Sequence, residues 1–399
     1  MSSSLLTHVE SSGQLAEHYA ARRVLVTGAF GFVGGHITRR LVEYGARVTA
    51  LDLRTEPTRP ALLNQQKLML LDDRLTVETA DVTDADRVRA IVEAGRFDVI
   101  FHFAACSTAE RAGDNACWTI RTNTVGLVNL LEAVREAARR PEAVFFASTD
   151  KVYGEMTGEF YQEDVSPLRG AGLYDASKLA ADVFARTYHL VFGLPTVVLR
   201  MCNLFGPCDF NTEYRILPRA MKSLFGARVP VPPELYSDAR EHFRDYLFID
   251  DAVRAILLLG YHPQCRGDVY NLPGCRYLST PEMMAAIVEA AADVEADFDP
   301  DRARLIREGG FGIKPKTQSS HVPAIRRQHA NGQKLRTATG FAPGIDFETG
   351  LRRTVKAYRQ YFQEIADHAR AEAADDARIV EVTGLSRNGW SGVRGVASV

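Results

Sequence analysis

The sequence predicts a doubly wound, parallel α/β sheet followed by a smaller mixed α/β domain. Three observations carry this reading. Short apolar runs alternate with longer helical stretches through the first half of the chain. A glycine-rich turn joins the first run to the first helix. The alternation weakens after Gly206, where Pro207 to Tyr246 is mixed and proline-rich.

Arg23 to Thr27 is a β-rich run ending in glycine, and Gly31 to Tyr44 is helical in pattern, with Val33, Ile37, Leu41 and Val42 on one face. Arg47 to Leu51 repeats the strand signature. Further runs follow at Leu75–Val77, Val99–Phe103, Ala143–Ala147 and Thr196–Leu199, separated by helical patterns over Asp84–Ala94, Thr124–Ala138 and Tyr174–Val191. Strands this short and this apolar are buried on both faces, which puts helices on both sides of the sheet. Connections between parallel strands are then right-handed. Late helices are expected at 280–292 and 346–363.

The 399 residues are 46% hydrophobic, enough for a large core in more than one domain. With 48 basic and 50 acidic residues the formal net charge is -2, so the chain has no bulk attraction for nucleic acid or an anionic membrane. No apolar stretch is long enough to span a bilayer, and the polar start, Met1 to Gly13, does not read as a secretory signal. The six cysteines include no Cys-x-x-Cys pair, which points to reduced thiols, a cytoplasmic setting and no structural metal.

Thr27-Gly28-Ala29-Phe30-Gly31-Phe32-Val33-Gly34 places glycines at strand end, turn and helix start. Gly28 permits the tight turn, Gly31 lets backbone approach a phosphate, and Gly34 lets helix and strand pack closely. The helix start offers unpaired N–H groups and a partial positive charge to a pyrophosphate. Asp52 lies 24 positions beyond Gly28 at the end of the second strand, placed to accept hydrogen bonds from an adenosine ribose. It favours NAD over NADP, because a carboxylate about 4 Å from a 2′-phosphate costs up to roughly 4 kcal/mol at an effective dielectric near 20. Arg54 is close enough to offset part of that. Asp81 and Val82, after the third strand, are placed to meet the adenine.

Tyr174 and Lys178 are four apart and share one helix face. A phenol is a poor base at neutral pH, and a neighbouring ammonium is expected to favour the phenolate and lower its pKa. Ser148 and Thr149 end the strand that precedes this helix.

Taken together, Thr27-Gly28-x-x-Gly31-x-x-Gly34, His102-Phe103-Ala104-Ala105, Asn123, Ser148-Thr149, Val152-Tyr153-Gly154, Tyr174-x-x-x-Lys178, Arg200-x-x-Asn203-x-x-Gly206-Pro207 and Arg244-Asp245-Tyr246 resemble the extended short-chain dehydrogenase/reductase family, in its nucleotide-sugar epimerase/dehydratase branch. The resemblance runs from about residue 22 to 275, and more weakly to about 363. It implies a Rossmann-type doubly wound sheet with a smaller mixed α/β C-terminal substrate domain. Residues 21–205, with a return segment at about 246–265, would bind NAD, and 206–245 with 266–365 would bind the substrate. Residues 1–20 read as a polar tail with a short helix at Leu15–Tyr19, and 371–399 as a flexible one. The resemblance also implies that Phe30, Phe32, Val33, Phe103, Ala104, Ala105 and Asn123 join the glycines, Tyr174 and Lys178 around a tightly held NAD. It implies a nucleotide-diphosphate sugar as substrate, held by Thr149, Asn203, Arg215 and Arg244, and a homodimer.

The residues after Thr149 discriminate within the branch. Asp150-Lys151 resembles the acid and base of 4,6-dehydratases, in the order of the CDP-glucose enzymes; the dTDP-glucose enzymes would have glutamate in place of Lys151. Asp209 through Pro218 also looks like the CDP-glucose group, whereas Arg244-Asp-Tyr-Leu-Phe-Ile-Asp is the epimerase-like version and His321 to Asn331 matches neither. The expected chemistry has Tyr174, with Lys178 and Thr149, deprotonating the sugar 4-hydroxyl as hydride leaves C4. Lys151 then removes the acidified C5 proton, Asp150 protonates the departing 6-hydroxyl, and hydride returns to C6. This requires a lowered pKa for Lys151 and a raised one for Asp150. The alternatives are a UDP-sugar 4-epimerase or decarboxylase and, further off, a non-catalytic NAD-binding regulator.

Overall fold

A computed structural model describes residues 13–53, 72–107, 109–316 and 324–383. Helix α1, residues 13–19, precedes β1 (Arg23–Thr27), α2 (Phe32–Glu43), β2 (Arg47–Asp52), β3 (Leu75–Thr79), α3 (Ala85–Gly95) and β4 (Val99–His102). Two short helices, α4 (Ala109–Asp114) and α5 (Ala116–Ile120), lead through a π-helical turn at Arg121–Val125 into α6 (Gly126–Glu136). Next come β5 (Ala143–Thr149), a 3-10 turn at Asp150–Tyr153, α7 (Leu173–Phe192) and β6 (Thr196–Met201). The chain then runs through β7 (Asn203–Phe205), α8 (Ile216–Phe225), β8 (Glu234–Tyr236), β9 (Phe243–Phe248), α9 (Ile249–Tyr261), β10 (Val269–Leu272) and β11 (Arg276–Ser279). It closes with α10 (Thr280–Ala296), α11 (Pro300–Gly309), β12 (Gly312–Lys314), β13 (Arg327–Gln328), α12 (Gln333–Thr339) and α13 (Phe347–Thr383).

The large sheet has seven parallel strands in the order β10-β6-β5-β4-β1-β2-β3. Alternate side chains of each strand feed opposite faces. Val24 and Val26 of β1 join Ile37 and Leu41 of α2 in one core; Leu25 between them joins Ile91, Leu131 and Ala185 of α3, α6 and α7 in the other. Every residue of β5 is buried, and Phe101 of β4 stacks on Phe145 of β5 with ring centroids 4.8 Å apart. The second layer is a smaller sheet built on β9: β11 pairs with it antiparallel, β13 with its first two residues and β7 with its last three.

Three segments depart from expectation. Val269–Leu272, assigned above to the substrate-binding part, is the edge strand of the large sheet; four buried residues are too few to show a period. Helix α13 continues to Thr383, beyond the 363 expected and into the supposed flexible tail, because its Ala-, Glu- and Arg-rich run consists of good helix formers; residues 384–399 lie outside the described residues. The helix expected at Leu15–Tyr19 is present over residues 13–19, but it is docked instead of forming a tail: Leu15 and Tyr19 are buried, and Tyr19 Oη donates to the Leu257 carbonyl at 3.0 Å.

A buried ion pair ties the large sheet to α7. Arg200 of β6 and Asp182 of α7 are both fully buried and share two hydrogen bonds of 2.9 Å. Ser148 Oγ of β5 donates to Asp182 Oδ2 at 2.8 Å, Arg200 Nη1 donates to Tyr153 Oη at 2.9 Å, and Tyr153 Oη donates to Asn271 Oδ1 of β10 at 2.8 Å. Arg200→Met should lower unfolding free energy by roughly 3–5 kcal/mol, since it strands a buried carboxylate. Arg200→Met with Asp182→Leu should recover part of that loss, read from urea unfolding of both variants.

Candidate active site

The carboxyl ends of the strands open into two adjoining cavities of about 480 and 290 Å³. They share a wall that includes Ser148, Tyr174, Asp209 and Arg215. Ligands of parallel α/β sheets bind at this edge.

The larger cavity lies over the glycine turn. Gly28 has φ +69°, and a Cβ there would sit 2.7 Å from the Ala104 nitrogen; one on Gly34 would collide with the Gly28 carbonyl. Both positions therefore require glycine. Phe30 N donates to Asp52 Oδ2 at 2.9 Å, which fixes the turn against the end of β2. Thr27 Oγ1 lies 2.8 Å from His102 Nδ1 and accepts from Ala104 N at 3.2 Å, so the first and fourth strand ends are joined below the turn. Burial, and then the Lys178 charge, push His102 down to about 3, leaving it neutral. The walls hold the turn residues Gly28, Phe30 to Gly34, Asp52, Asp81, Val82, Phe103 to Ala105, Tyr174 and Lys178. This floor without side chains, the start of α2 above it and an acid at the end of β2 fit a dinucleotide.

One expected contact falls elsewhere. Asn123, in the π-helical turn, is buried behind the wall: its Oδ1 accepts from Cys106 N at 2.7 Å, and its Nδ2 donates to the Cys106 carbonyl at 3.1 Å and to Ser177 Oγ at 2.9 Å. It thus ties the loop after β4 to the helix carrying Tyr174. Arg54 lies outside the described residues.

At the shared wall, Lys178 is buried; its Nζ donates to the Ala147 carbonyl at 2.9 Å and sits 5.1 Å from the centroid of the Phe146 ring. Burial pushes this ammonium down to about 7. The phenol of Tyr174 is not drawn below its usual range, as expected from Lys178. Burial pushes it well above, while the Arg215 guanidinium and the Thr149 hydroxyl oppose the rise. The shared helix face was read correctly, but the cation acting on the phenol comes from α8's N-cap, and desolvation outweighs it.

The smaller cavity holds the residues after Thr149. Thr149 caps the 3-10 turn, accepting from Lys151 N at 3.3 Å. Asp150 is 2% exposed. Its Oδ1 accepts from Thr149 Oγ1 at 3.3 Å and from Gln328 Nε2 at 3.0 Å; its Oδ2 is buried with no hydrogen-bond partner. Burial raises its pKa, against the charges of Lys151 and Arg244. Lys151 Nζ donates to Gln328 Oε1 at 3.1 Å.

Among the residues expected to hold substrate, Asn203 lines this cavity with a buried Nδ2 that has no hydrogen-bond partner. Arg215 lines both cavities, bridged to Asp209 at 3.0 Å. The guanidinium of Arg244 donates instead to the carbonyls of Phe243 (2.8 Å), Ile325 (2.7 Å) and Arg326 (2.8 Å), holding the strand that contains Gln328. Asp209 and Gln328 were not foreseen as site residues. Asp209, six positions before Arg215, was detectable as a charge pair near a helix start; Gln328 had no local signal.

A profile of the NAD dependent epimerase/dehydratase family matches residues 24–272. The dTDP-glucose 4,6-dehydratase of Streptomyces griseus is 34% identical over 344 residues, covering 85% of this chain and 94% of its own length. The UDP-glucose 4-epimerase of Mycolicibacterium smegmatis is 29% identical over 343 residues, covering 86% and 100%. The structure of the Streptomyces venezuelae dTDP-glucose 4,6-dehydratase DesIV with NAD and TYD bound superposes with a TM-score of 0.69 and 28% identity, over 85% of this chain and 97% of that one.

Asp245, beside this site, supplies a pH test. It is buried in β9, its Oδ2 accepts from Ala330 N at 2.8 Å, and burial pushes it up to about 7. The folded chain therefore keeps a proton that the unfolded chain releases near pH 4, so this group's contribution makes stability fall as pH rises from about 4 towards about 7. Asp245→Asn should flatten that slope; urea midpoints of both proteins at pH 5 and pH 8 measure it.

Proposed function

The chain belongs to the NAD dependent epimerase/dehydratase family, and on that premise we propose that it is a nucleotide-sugar 4,6-dehydratase, oxidising a hexose at C4 and removing water across C5 and C6. The observation that carries the reading is Asp150: a buried carboxyl with a raised pKa, followed directly in sequence by a lysine in the same cavity.

NAD, the cofactor of the family, supplies hydride acceptance at C4 and hydride return at C6. The chain's own residues handle protons and position. Tyr174 Oη is the group for the 4-hydroxyl proton: the Arg215 charge and the Thr149 hydroxyl oppose the rise that burial imposes, and the positive nicotinamide of bound NAD would favour the phenolate further. The Lys178 ammonium, held on the Ala147 carbonyl, adds positive charge to the same cavity. Lys151 Nζ removes the C5 proton once a 4-ketone has acidified it. Burial raises the pKa of Asp150 and so favours the protonated form, which is the form that can protonate the leaving 6-hydroxyl. Asn203 Nδ2, buried without a hydrogen-bond partner, and Arg215 are the donors proposed for the sugar diphosphate.

The similarity to a UDP-glucose 4-epimerase favours a second reading, in which the 4-ketone is reduced again without loss of water. The Asp150–Lys151 pair argues against it, since epimerisation needs neither a C5 base nor an acid at the 6-hydroxyl. The nucleotide stays open between the CDP-like order of Asp150-Lys151 and the similarity to dTDP-glucose enzymes. The reading includes a cytoplasmic enzyme, supported by six free cysteines, and a homodimer, supported by exposed Val183, Phe184, Leu190 and Val191 on α7.

Incubation with CDP-, dTDP-, UDP- and GDP-glucose in deuterated water should give a 4-keto-6-deoxy product carrying deuterium at C5, identified by mass spectrometry. Lys151→Ala should lower C5 exchange by about 100-fold or more while C4 oxidation persists. A product with its 6-hydroxyl intact, or unchanged turnover in the variant, would sink the assignment.

A further inference from the structure

Gln328 touches both side chains that separate elimination from simple redox chemistry. It is fully buried; its Nε2 donates to Asp150 Oδ1 at 3.0 Å and its Oε1 accepts from Lys151 Nζ at 3.1 Å. We propose that Gln328 is a positioning residue for the elimination step, a single neutral amide that orients acid and base together and fixes which oxygen of Asp150 carries the proton. The proposal rests on the dehydratase reading above.

The amide has a donor side and an acceptor side, and its neighbours require opposite partners. Rotated by half a turn it would face Asp150 Oδ1 with its oxygen and the Lys151 amine with its NH₂, an arrangement that suits only a proton on Oδ1 and an amine accepting through its lone pair. The observed orientation instead leaves Oδ1 as an acceptor and Lys151 Nζ as a donor. Asp150 Oδ1 already accepts from Gln328 and Thr149, so the proton of the neutral acid resides on Oδ2, the oxygen left without a hydrogen-bond partner. An acid held in this way presents its proton from one defined atom.

Neutrality matters as much as orientation. The charged and titratable groups around the pair include Arg244, Asp175, Asp245, Tyr161, Tyr174 and Cys202. A carboxylate at position 328 would favour the ammonium of Lys151, the form that cannot act as a base. A cation there would favour ionised Asp150, the form that cannot act as an acid. An amide avoids both.

The backbone around Gln328 is bound on several sides. β13 pairs with Phe243 and Arg244 of β9, and Phe243 N donates to the Arg326 carbonyl at 2.7 Å. Tyr161 Oη donates to the Arg327 carbonyl at 3.0 Å, Tyr161 N donates to the His329 carbonyl at 2.8 Å, and the Arg244 guanidinium holds the carbonyls of Ile325 and Arg326. A two-residue strand fastened this thoroughly delivers one amide to the acid and base with little freedom.

The test uses the full chain loaded with NAD and a nucleotide-glucose that the wild type converts. In Gln328→Met, C5 exchange should slow by about 10- to 100-fold while single-turnover C4 oxidation, followed as NADH absorbance, changes by less than about 3-fold. In Gln328→Glu, both limbs of the pH profile for C5 exchange should move alkaline by roughly one unit, because a new carboxylate raises the pKa of Asp150 and of Lys151 alike. Equal loss of both steps in both variants overturns the proposal, as that is what a purely structural residue gives. Wild-type exchange rates and pH limbs in both variants overturn it while leaving the dehydratase reading intact. No C5 exchange by the wild type on any of the four nucleotide-glucoses overturns the reading and the proposal together.

Discussion

The arrangement of the site depends on the buried pair of Arg200 and Asp182. Neither side chain reaches solvent, so each must be satisfied by the protein, and the network that satisfies them reaches the elements that carry Thr149, Asp150, Lys151, Tyr174 and Lys178. Asp182 lies on the helix of Tyr174 and Lys178, Ser148 ends the strand that leads to Thr149, Tyr153 closes the turn that holds Asp150 and Lys151, and Asn271 is on the edge strand. Moving any of these against the others breaks a buried hydrogen bond. Such networks impose one geometry more than they add stability.

Burial tunes the ionisable groups in opposite directions. It pushes Asp150 up and Lys178 down, so that each tends towards its neutral form. Coulombic neighbours temper this without reversing it. The result is two adjoining cavities, one favouring the neutral form of an acid and the other that of an ammonium, a bias that bulk water does not impose.

Much of this was legible in the sequence where the physics is local. The glycine turn announces itself because Gly28 and Gly34 sit where a Cβ would strike backbone, and the strands because Val24, Leu25 and Val26 are apolar on both faces. The spacing of Tyr174 and Lys178 put them on one helix face. Spacing cannot report what burial does to a phenol, however, nor that Arg215 supplies the opposing charge. Arg244 was read as a phosphate ligand from its type and neighbours; here it is spent on backbone carbonyls, a choice set by where residues 325 and 326 pass. Val269–Leu272 was too short to show a pattern.

Gln328 is 178 positions from Asp150 in the chain. A contact so distant in sequence forms only after a large loop has closed. The glycine turn, Tyr174 and Lys178 all belong to the first half of the chain and need no such closure to meet. As the polypeptide emerges from the N-terminus, the redox half of the site can therefore be assembled before the elimination half, whose acid and base gain their shared amide only when the last quarter of the chain has docked.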